Sequence, residues 1–149
     1  MNPLLEKYKT PFETAPFDII QTEHFLPAIK EAIQLAKSDI DQIKNQALPE
    51  FQNTIEALDH AGDKLSFISS IFFNLNAAET NEEIQVLARE ISPLLTAHGN
   101  DILLDADLFD RINQVYAQKD QLNLSEEQAT LLDKTYKSFV RNGAKLNNE

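Results

Sequence analysis

The sequence predicts an all-α protein, and three observations carry that prediction. Apolar residues recur at alternating steps of three and four, which is the period of one helix face. Capping patterns stand directly before several of these stretches, as at Ser125 with Gln128 three residues later. Only three glycines and six prolines occur in 149 residues, which is few for the many turns of a β-sandwich. We therefore predict about five long antiparallel helices in an up-and-down, bundle-like array.

Residues 1–21 form a proline-rich lead-in to the first helix. The prolines are Pro3, Pro11 and Pro16, and Phe12 and Phe17 directly follow the last two of them. Prolines at this density favour an extended segment, since each fixes its own φ and restricts the residue before it. The apolar residues between the prolines indicate that the segment lies against the rest of the chain.

The first predicted helix begins near Thr22, its expected N-cap, and Leu48-Pro49 breaks it. Pro27 is compatible with a helix only near the first turn. Between these limits the apolar residues form a single stripe with steps of three and four: Leu26, Ile29, Ile33, Ala36, Ile40, Ile43 and Ala47.

The second predicted helix begins at Asn53, with Glu56 three residues later as its capping partner. Two apolar rows lie along it, so its end is expected to be buried on more than one side; Ile68, Ile71, Phe72 and Leu75 finish it. Gly62 lies inside the pattern, where glycine costs about 1 kcal/mol relative to alanine. A close helix crossing at Gly62 is the expected reason.

The third predicted helix follows a capping box of Thr80 and Glu83. Its apolar stripe continues from Ile84 to His98 and contains Pro93. A proline inside a helix removes a hydrogen bond, so a kink, or a break near Ser92, is expected.

Two shorter patterns predict the fourth and fifth helices. Asp105 or Asp107 is expected to cap the fourth, and Ser125 opens a capping box for the fifth. Gly143 is expected to follow the last helix as its C′ residue. The whole of 1–149 is therefore predicted to form a single helical domain.

Charge and composition exclude several classes of function. The net charge is −11, from 24 acidic and 13 basic residues, so neither nucleic acid nor an anionic membrane is an expected partner. Without cysteine, the chain has no disulfide, thiolate metal site or cysteine nucleophile. No signal-peptide pattern and no run of membrane-spanning length occurs. We expect a soluble, monomeric, cytoplasmic protein, or a periplasmic one if a signal peptide has been removed.

The motifs of common active sites are missing. The three histidines, His24, His60 and His98, are far apart, and no H-E-x-x-H zinc helix occurs. His60 is expected on a helix surface, and His98 at a helix end, partly covered by its neighbours. There is also no G-x-S-x-G nucleophile elbow and no glycine-rich phosphate loop. The residues alone assign no catalytic or metal-binding residue and leave substrate-binding residues unknown.

Two groups of charged residues have competing interpretations. The pairs Glu82/Glu83 and Glu126/Glu127 fall in first helical turns, where they complement the helix dipole. Basic residues recur along the fifth helix and could serve a substrate or partner groove, although a solvated face is favoured. They are Lys134, Lys137, Arg141 and Lys145.

Five stretches of the sequence, taken in order, resemble one family. They are PFDIIQTEHFLPAIKEAI (16–33), FQNTIEALDHAGDKL (51–65), FFNLNAAETNEEI (72–84), ISPLLTAHGNDILLDADLFDRINQVY (91–116) and LLDKTYKSFVRNGAKL (131–146). Together they resemble the N-terminal region of the thimet oligopeptidase and neurolysin family of zinc metallopeptidases. Within that family the resemblance is strongest to bacterial peptidyl-dipeptidases (dipeptidyl carboxypeptidases) and oligopeptidase A.

The resemblance implies an all-α enzyme with a long channel between two helical halves. Zinc is held in the C-terminal half by an H-E-x-x-H helix and a downstream glutamate, and the N-terminal helices form a wall and rim that restrict access to short peptides. Zinc-bound water attacks the scissile amide, with the motif glutamate as general base.

The chain departs from the family's pattern because it contains no H-E-x-x-H, so no catalytic or metal residue can be assigned by resemblance. We expect an N-terminal fragment that is inactive alone, with the C-terminal catalytic domain as its partner and zinc bound outside this chain. A naturally truncated paralogue is the alternative origin. A free-standing helical module that binds a partner in a groove is the alternative function.

Overall fold

The computed structural model describes residues 2–8, 10, 14–78 and 81–143. All regular elements within these residues are helical, which confirms the all-α prediction. The helices are α1 Phe25–Lys44, α2 Ala57–His60, α3 Asp63–Ala78, α4 Glu82–Leu103, α5 Ala106–Ala117 and α6 Glu126–Arg141. Short 3₁₀ helices span Thr22–His24 and Lys119–Gln121, and a π-helix spans Phe51–Glu56. No described helix is both long and apolar enough to cross a membrane.

The chain divides into two compact units. Unit 1 comprises residues 1–37 and 62–97, and unit 2 comprises 38–61 and 98–149. Each unit has its own hydrophobic core. The expectation of a single domain and of an up-and-down helix order stays a prediction.

The lead-in segment supplies part of the core of unit 1. Leu4 is fully buried, and Leu5 and Ala15 pack against the same core. Asn2 ties this segment to the start of the helices, because its Nδ2 donates to the His24 carbonyl at 2.7 Å. The expectation that the segment lies against the rest is confirmed for these residues, whereas Phe17 is exposed and Phe12 lies outside the described residues.

The first helical stretch begins one residue earlier than the sequence indicates. Gln21 precedes the 3₁₀ turn, and its backbone N–H donates to His24 Nδ1 at 3.0 Å. Thr22, the expected N-cap, is instead the first residue of the 3₁₀ turn. Pro27 falls in the first turn of α1, where a missing N–H costs no helical hydrogen bond.

The second predicted helix is two helices, and this is the main correction to the predicted fold. Gly62 has φ +83°, a left-handed conformation that L-residues avoid, so it separates α2 from α3. An added Cβ at Gly62 would meet the Ala36 Cβ at 3.5 Å, which is ordinary contact. Backbone conformation, and not the expected close crossing, is therefore what requires glycine.

The stretch before α2 is π-helical, and its cap also differs from the prediction. Glu50 is the N-cap, and its N–H donates to Asn53 Oδ1 at 2.9 Å. Asn53 therefore closes the capping box from its third position and does not open it. Periodicity cannot reveal a π-turn, because one inserted residue only displaces the apolar row.

Helix α4 begins at Glu82 and is continuous through Pro93. Of the two outcomes expected at this proline, the break near Ser92 is wrong and the kink stays a prediction. Asn81 Oδ1 accepts from the Ile84 N–H at 2.9 Å and so caps the helix. The predicted cap at Thr80 lies outside the described residues.

The caps of α5 and α6 confirm the sequence patterns. Asp105 Oδ1 accepts from the Leu108 N–H at 2.9 Å. Ser125 Oγ accepts from the Gln128 N–H at 3.2 Å, and Gln128 Oε1 accepts from the Ser125 N–H at 3.0 Å. Gly143 follows α6 with φ +90°, as expected of a C′ glycine.

The core of unit 1 is built from the lead-in segment, α1, α3 and α4. Phe72 is 1% exposed and its ring centroid lies 5.2 Å from that of Phe25. Ile68 and Ile71 are also buried, and Leu75 packs against the core. The prediction that the second stripe ends in buried residues is confirmed.

The core of unit 2 combines the end of α1, the π-helix, α5 and α6. Its fully buried side chains include Ile55, Leu108, Ile112 and Leu132. Aromatic rings extend the packing, since Phe109 stacks on both Tyr136 and Phe139, with centroids 6.0 and 6.3 Å apart.

Candidate functional site

The three histidines do not assemble a metal site. His60 is exposed on α2, as expected, whereas His98 is 7% exposed inside α4, more deeply buried and further from the helix end than expected. His24 accepts a backbone hydrogen bond at the start of the helices. Within the residues that the structure describes, no three His, Cys, Asp or Glu side chains are grouped so that they could hold a metal ion.

The two glutamate pairs lie in first helical turns, as predicted. Glu82 and Glu83 open α4, and Glu126 and Glu127 open α6, and all four side chains are exposed. There their charges favour the positive end of the helix dipole. Glu82 and Glu83 have a second feature in common, because both line a groove on unit 1.

This groove lies between the start of α1 and the first turns of α4 and encloses about 750 Å³. We call it the acidic groove. Leu26 and Leu87 belong both to its lining and to the outer layer of the unit 1 core, so core packing fixes the position of the floor. Its lining residues are Thr22, Glu23, Leu26, Pro27, Glu82, Glu83, Val86, Leu87 and Glu90.

The acidic groove combines an apolar floor with a carboxylate rim. Val86 is 54% exposed there, so its side chain is available to a partner. Among the residues that the structure describes, no lysine or arginine lines the groove, although Lys30 Nζ approaches Glu90 Oε1 at 3.8 Å. Both of those side chains are more than half exposed, so the ion pair is weak and can exchange for another.

Unit 2 has a smaller groove, of about 370 Å³, and beside it a buried arginine. Arg111 is 8% exposed, and its Nη1 donates to the Gln46 carbonyl at 2.7 Å. Its Nη2 donates to the Leu48 carbonyl at 3.3 Å and approaches Asn53 Oδ1 at 3.5 Å. The guanidinium therefore fixes the connection between α1 and the π-helix. We call this set of contacts the arginine clamp.

Asp105 connects α1 and α5 within unit 2. Its Oδ1 caps α5, while its Oδ2 accepts from Lys44 Nζ at 2.8 Å. This hydrogen bond, against the opposing effect of burial, raises the pKa of Lys44 above its ordinary value. The last residue of α1 is thus held to the first turn of α5.

A stacked tyrosine pair lies on α5 and α6. The Tyr116 and Tyr136 rings are 3.8 Å apart and nearly parallel, and Lys119 Nζ lies 4.6 Å from the Tyr116 centroid. Lys137 donates to Asp133 Oδ2 at 2.6 Å, and this bond holds the pKa of Asp133 below its ordinary value. These contacts satisfy the charges of the cluster internally, so it offers little to a ligand.

The basic residues of α6 form a solvated face. Lys134, Lys137 and Arg141 are exposed, which confirms the favoured interpretation, and Lys145 lies outside the described residues. The sequence analysis missed Arg111. Its signal was its position between Leu108 and Ile112, on the stripe that the helix period assigns to the core.

The acidic groove is the candidate functional site because it joins exposed apolar surface to unneutralised charge. The lining residues that are described offer carboxylates, one hydroxyl and aliphatic carbon, and none of them is a histidine or lysine. Such a surface can bind a polypeptide segment. The sequence analysis did not predict it, because its two walls are about sixty residues apart in the sequence.

Comparison with known proteins identifies bacterial peptidases as relatives. The chain is 39% identical over 149 residues to the dipeptidyl carboxypeptidase of Salmonella typhimurium and 37% identical over 147 residues to that of Escherichia coli. The two alignments cover 99% and 98% of this chain and 22% of each relative. Oligopeptidase A of Escherichia coli is 26% identical over 149 residues, covering 99% of this chain and 21% of that protein. No family model matches the chain.

These relatives bear the names that the sequence resemblance predicts, and the predicted resemblance is confirmed. The chain spans about a fifth of the length of the curated relatives that it matches.

Proposed function

We propose that this chain is the N-terminal helical part of a zinc-dependent oligopeptidase of the peptidyl-dipeptidase type. One observation carries the proposal. The similarity to two dipeptidyl carboxypeptidases extends along 98–99% of this chain yet covers only 22% of each of them. A chain of this kind corresponds to a part of a peptidase and not to a whole one.

In this proposal the helices of the chain form one wall and rim of the channel and restrict access to short peptides. Rigid, capped helices suit such a wall, because each of α4, α5 and α6 has a side chain that fixes its first turn. The substrates would be short peptides, bound by the whole enzyme, and the C-terminal catalytic domain would be the partner of this chain.

Zinc would supply Lewis-acid catalysis of amide hydrolysis from the remainder of the polypeptide. The described residues of this chain do not fit a zinc site, since no three candidate ligands are grouped among them. We accordingly assign no catalytic step to this chain and expect it to be inactive alone.

The reading frame beyond codon 149 provides the first test. The proposal expects the frame to continue and to encode H-E-x-x-H, with a further glutamate downstream. A natural stop codon directly after Glu149 would contradict it.

Activity provides the second test. The complete protein should release dipeptides from the C-termini of short peptides and lose this activity on treatment with a chelator. The 149-residue chain, purified without a tag, should neither hydrolyse peptides nor retain stoichiometric zinc.

A second candidate function is a free-standing interaction module, and the acidic groove is the observation that favours it. It requires a natural stop codon together with a specific binding partner. Conversely, a frame that continues into a peptidase excludes it.

A further inference from the structure

We propose that the acidic groove docks a helix that carries leucine-like residues on one side and lysine or arginine at its edges, supplied by the remainder of the polypeptide. This inference rests on the proposed function for the source of the helix. The chemistry of the occupant rests on the groove alone.

The floor of the groove defines the apolar side of the occupant. Val86 is 54% exposed, and Leu26 and Leu87 are packed against the core from below and accessible from above. Exposed aliphatic surface of this kind gains free energy when another apolar surface covers it. An apolar groove can receive the apolar face of an amphipathic helix.

The rim defines the charged edges of the occupant. Glu23, Glu82 and Glu83 line the groove, and none of the described residues that line it is basic. Glu90 lies 3.8 Å from the solvent-exposed Lys30. Lysine or arginine on the occupant would therefore meet complementary charge, whereas an acidic helix would be repelled.

Helix α6 of a second copy does not fit this chemistry. Its basic residues Lys134, Lys137 and Arg141 lie on an exposed face. The apolar side of α6 is already buried in unit 2, where Leu132 is 0% and Phe139 3% exposed. That helix cannot present apolar and basic residues together to the groove of another copy.

The remainder of the polypeptide is the favoured source for two reasons. About four fifths of the length of the matched relatives lies outside the aligned region. A tethered helix also binds at a high effective concentration, so an open groove needs only modest intrinsic affinity. A surface for varied peptide substrates, by contrast, gains nothing from a rim that rejects acidic sequences.

The chemistry is tested on the 149-residue chain with two helical peptides of fourteen residues. One has leucines along one face and lysines at its edges, and the other has glutamates in place of the lysines. We expect the lysine peptide to bind, with amide shifts in the first turns of α1 and α4, and to bind more weakly at high salt. Equal binding of the glutamate peptide, or binding of neither, overturns the proposal.

A matched pair of variants locates the binding. Glu82→Gln with Glu83→Gln should weaken lysine-peptide binding about tenfold, the size of one lost charge-assisted contact. The control, Glu126→Gln with Glu127→Gln, removes the same charge from the first turn of α6 and should leave binding within about twofold. If both double variants lose the same amount of lysine-peptide affinity, the effect comes from overall charge, and the assignment of binding to the acidic groove is wrong.

Thiol labelling of the complete protein tests whether the docked helix comes from the remainder of the polypeptide. This chain has no cysteine, so Val86→Cys introduces a single thiol into it. We expect a thiol reagent to modify Cys at this position at least about tenfold more slowly in the folded complete protein than in the 149-residue chain, as a covered site requires. The denatured complete protein, and the protein without the substitution, correct for reagent activity and for thiols elsewhere.

The outcomes separate this inference from the proposed function. An active peptidase with an unprotected thiol at position 86 leaves the proposed function intact and overturns the intramolecular source. Protection that appears only when a peptide substrate is added identifies a substrate surface and also overturns it. A reading frame without a peptidase overturns the proposed function and the source together, while the peptide experiment still decides the chemistry of the groove.

Discussion

The two compact units differ in their polar contacts and in how much apolar surface they leave exposed. Unit 2 has polar contacts between distant segments: the arginine clamp, the Lys44–Asp105 pair, and a hydrogen bond from Gln128 to Glu56 at 3.2 Å. Unit 1 also has such contacts, from Asn2 to the His24 carbonyl and from Lys64 to the Glu6 carbonyl, but it carries more uncovered apolar surface. Of the large hydrophobic residues that are exposed in the described chain, unit 1 holds six: Phe17, Ile19, Leu35, Phe67, Phe73 and Val86. Unit 2 holds two, Leu48 and Leu104.

The difference indicates which unit is prepared for a partner. Contiguous exposed apolar surface marks an interaction site, whereas single exposed apolar residues are common on proteins. In unit 1 one of the six, Val86, lies on the floor of the acidic groove beside its carboxylates. In unit 2 several charged groups are paired within the unit, as Lys44 is with Asp105 and Lys137 with Asp133. Five substitutions test this contrast between the two units.

The largest effect is expected in the core of unit 1. Phe72→Ala should lower the free energy of unfolding by about 3–5 kcal/mol, because the ring is 1% exposed and its removal leaves a cavity. Urea denaturation followed by circular dichroism measures it. Phe73→Ala is the control, since that neighbouring ring is 36% exposed and should cost much less. Equal effects would show that Phe72 is not a core residue.

The corresponding change in unit 2 removes the arginine clamp. Arg111→Met keeps most of the side-chain volume but leaves the Gln46 carbonyl without its arginine donor, while the Leu48 carbonyl keeps its hydrogen bond from Asn53 Nδ2. The expected loss is about 1–3 kcal/mol in the same denaturation experiment. Arg141→Met, on the exposed face of α6, should change stability by less than about 0.5 kcal/mol. If Arg111→Met unfolds at the same urea concentration as the unsubstituted protein, polar contacts of this arginine do not stabilise unit 2.

These two variants together test whether the units unfold separately. If they unfold together, each substitution shifts one common transition; if they are independent, each shifts its own. Following the unfolding of both variants by residue-resolved hydrogen exchange distinguishes the two cases.

Alanine substitutions at Gly62 and Gly99 should change the stability by intermediate amounts and in opposite directions. Gly62→Ala in unit 1 should cost about 1–2 kcal/mol, because φ is +83°. Gly99→Ala in α4 should instead stabilise by about 0.5–1 kcal/mol, since the residue is helical and nothing lies within 4 Å of the added Cβ. Thermal denaturation of the two variants should give shifts in opposite directions.

The smallest effect is a pH dependence from unit 2. The folded pKa of Lys44 is raised above its unfolded value of 10.5, so its contribution is complete below that pH. The contribution is lost as the pH rises through the folded pKa. We expect less than about 1 kcal/mol, which Lys44→Met should abolish in stability curves taken up to strongly alkaline pH. An unchanged alkaline slope in this variant would show that the pair contributes nothing.

Local chemistry decided which features the sequence could predict. The caps at Asp105 and Ser125 are correct because a short side chain and its backbone partner are only three residues apart. The buried residues at the ends of the apolar stripes were also predicted correctly, because residues three and four positions apart share one helix face. Gly62 was misinterpreted because the residue type does not reveal whether the backbone or a neighbour demands glycine.

The candidate site lay beyond the reach of local patterns. Leu26 and Leu87 both fit core stripes, and nothing in either stripe shows that one side of each remains open. Glu82 and Glu83 fit their role at a helix start and so offered no reason to look further. Only the juxtaposition of two helix starts reveals the groove.

The arginine clamp also has a consequence for sequence length. One guanidinium contacts the backbone at Gln46 and Leu48 and the side chain of Asn53. These three contacts can form together only if the connection between α1 and the π-helix has its present length. Adding or deleting a residue there would displace at least one of these three partners. The turn at Asn123, where φ is +49° and no such clamp operates among the described contacts, is a better place to insert a reporter or a foreign loop.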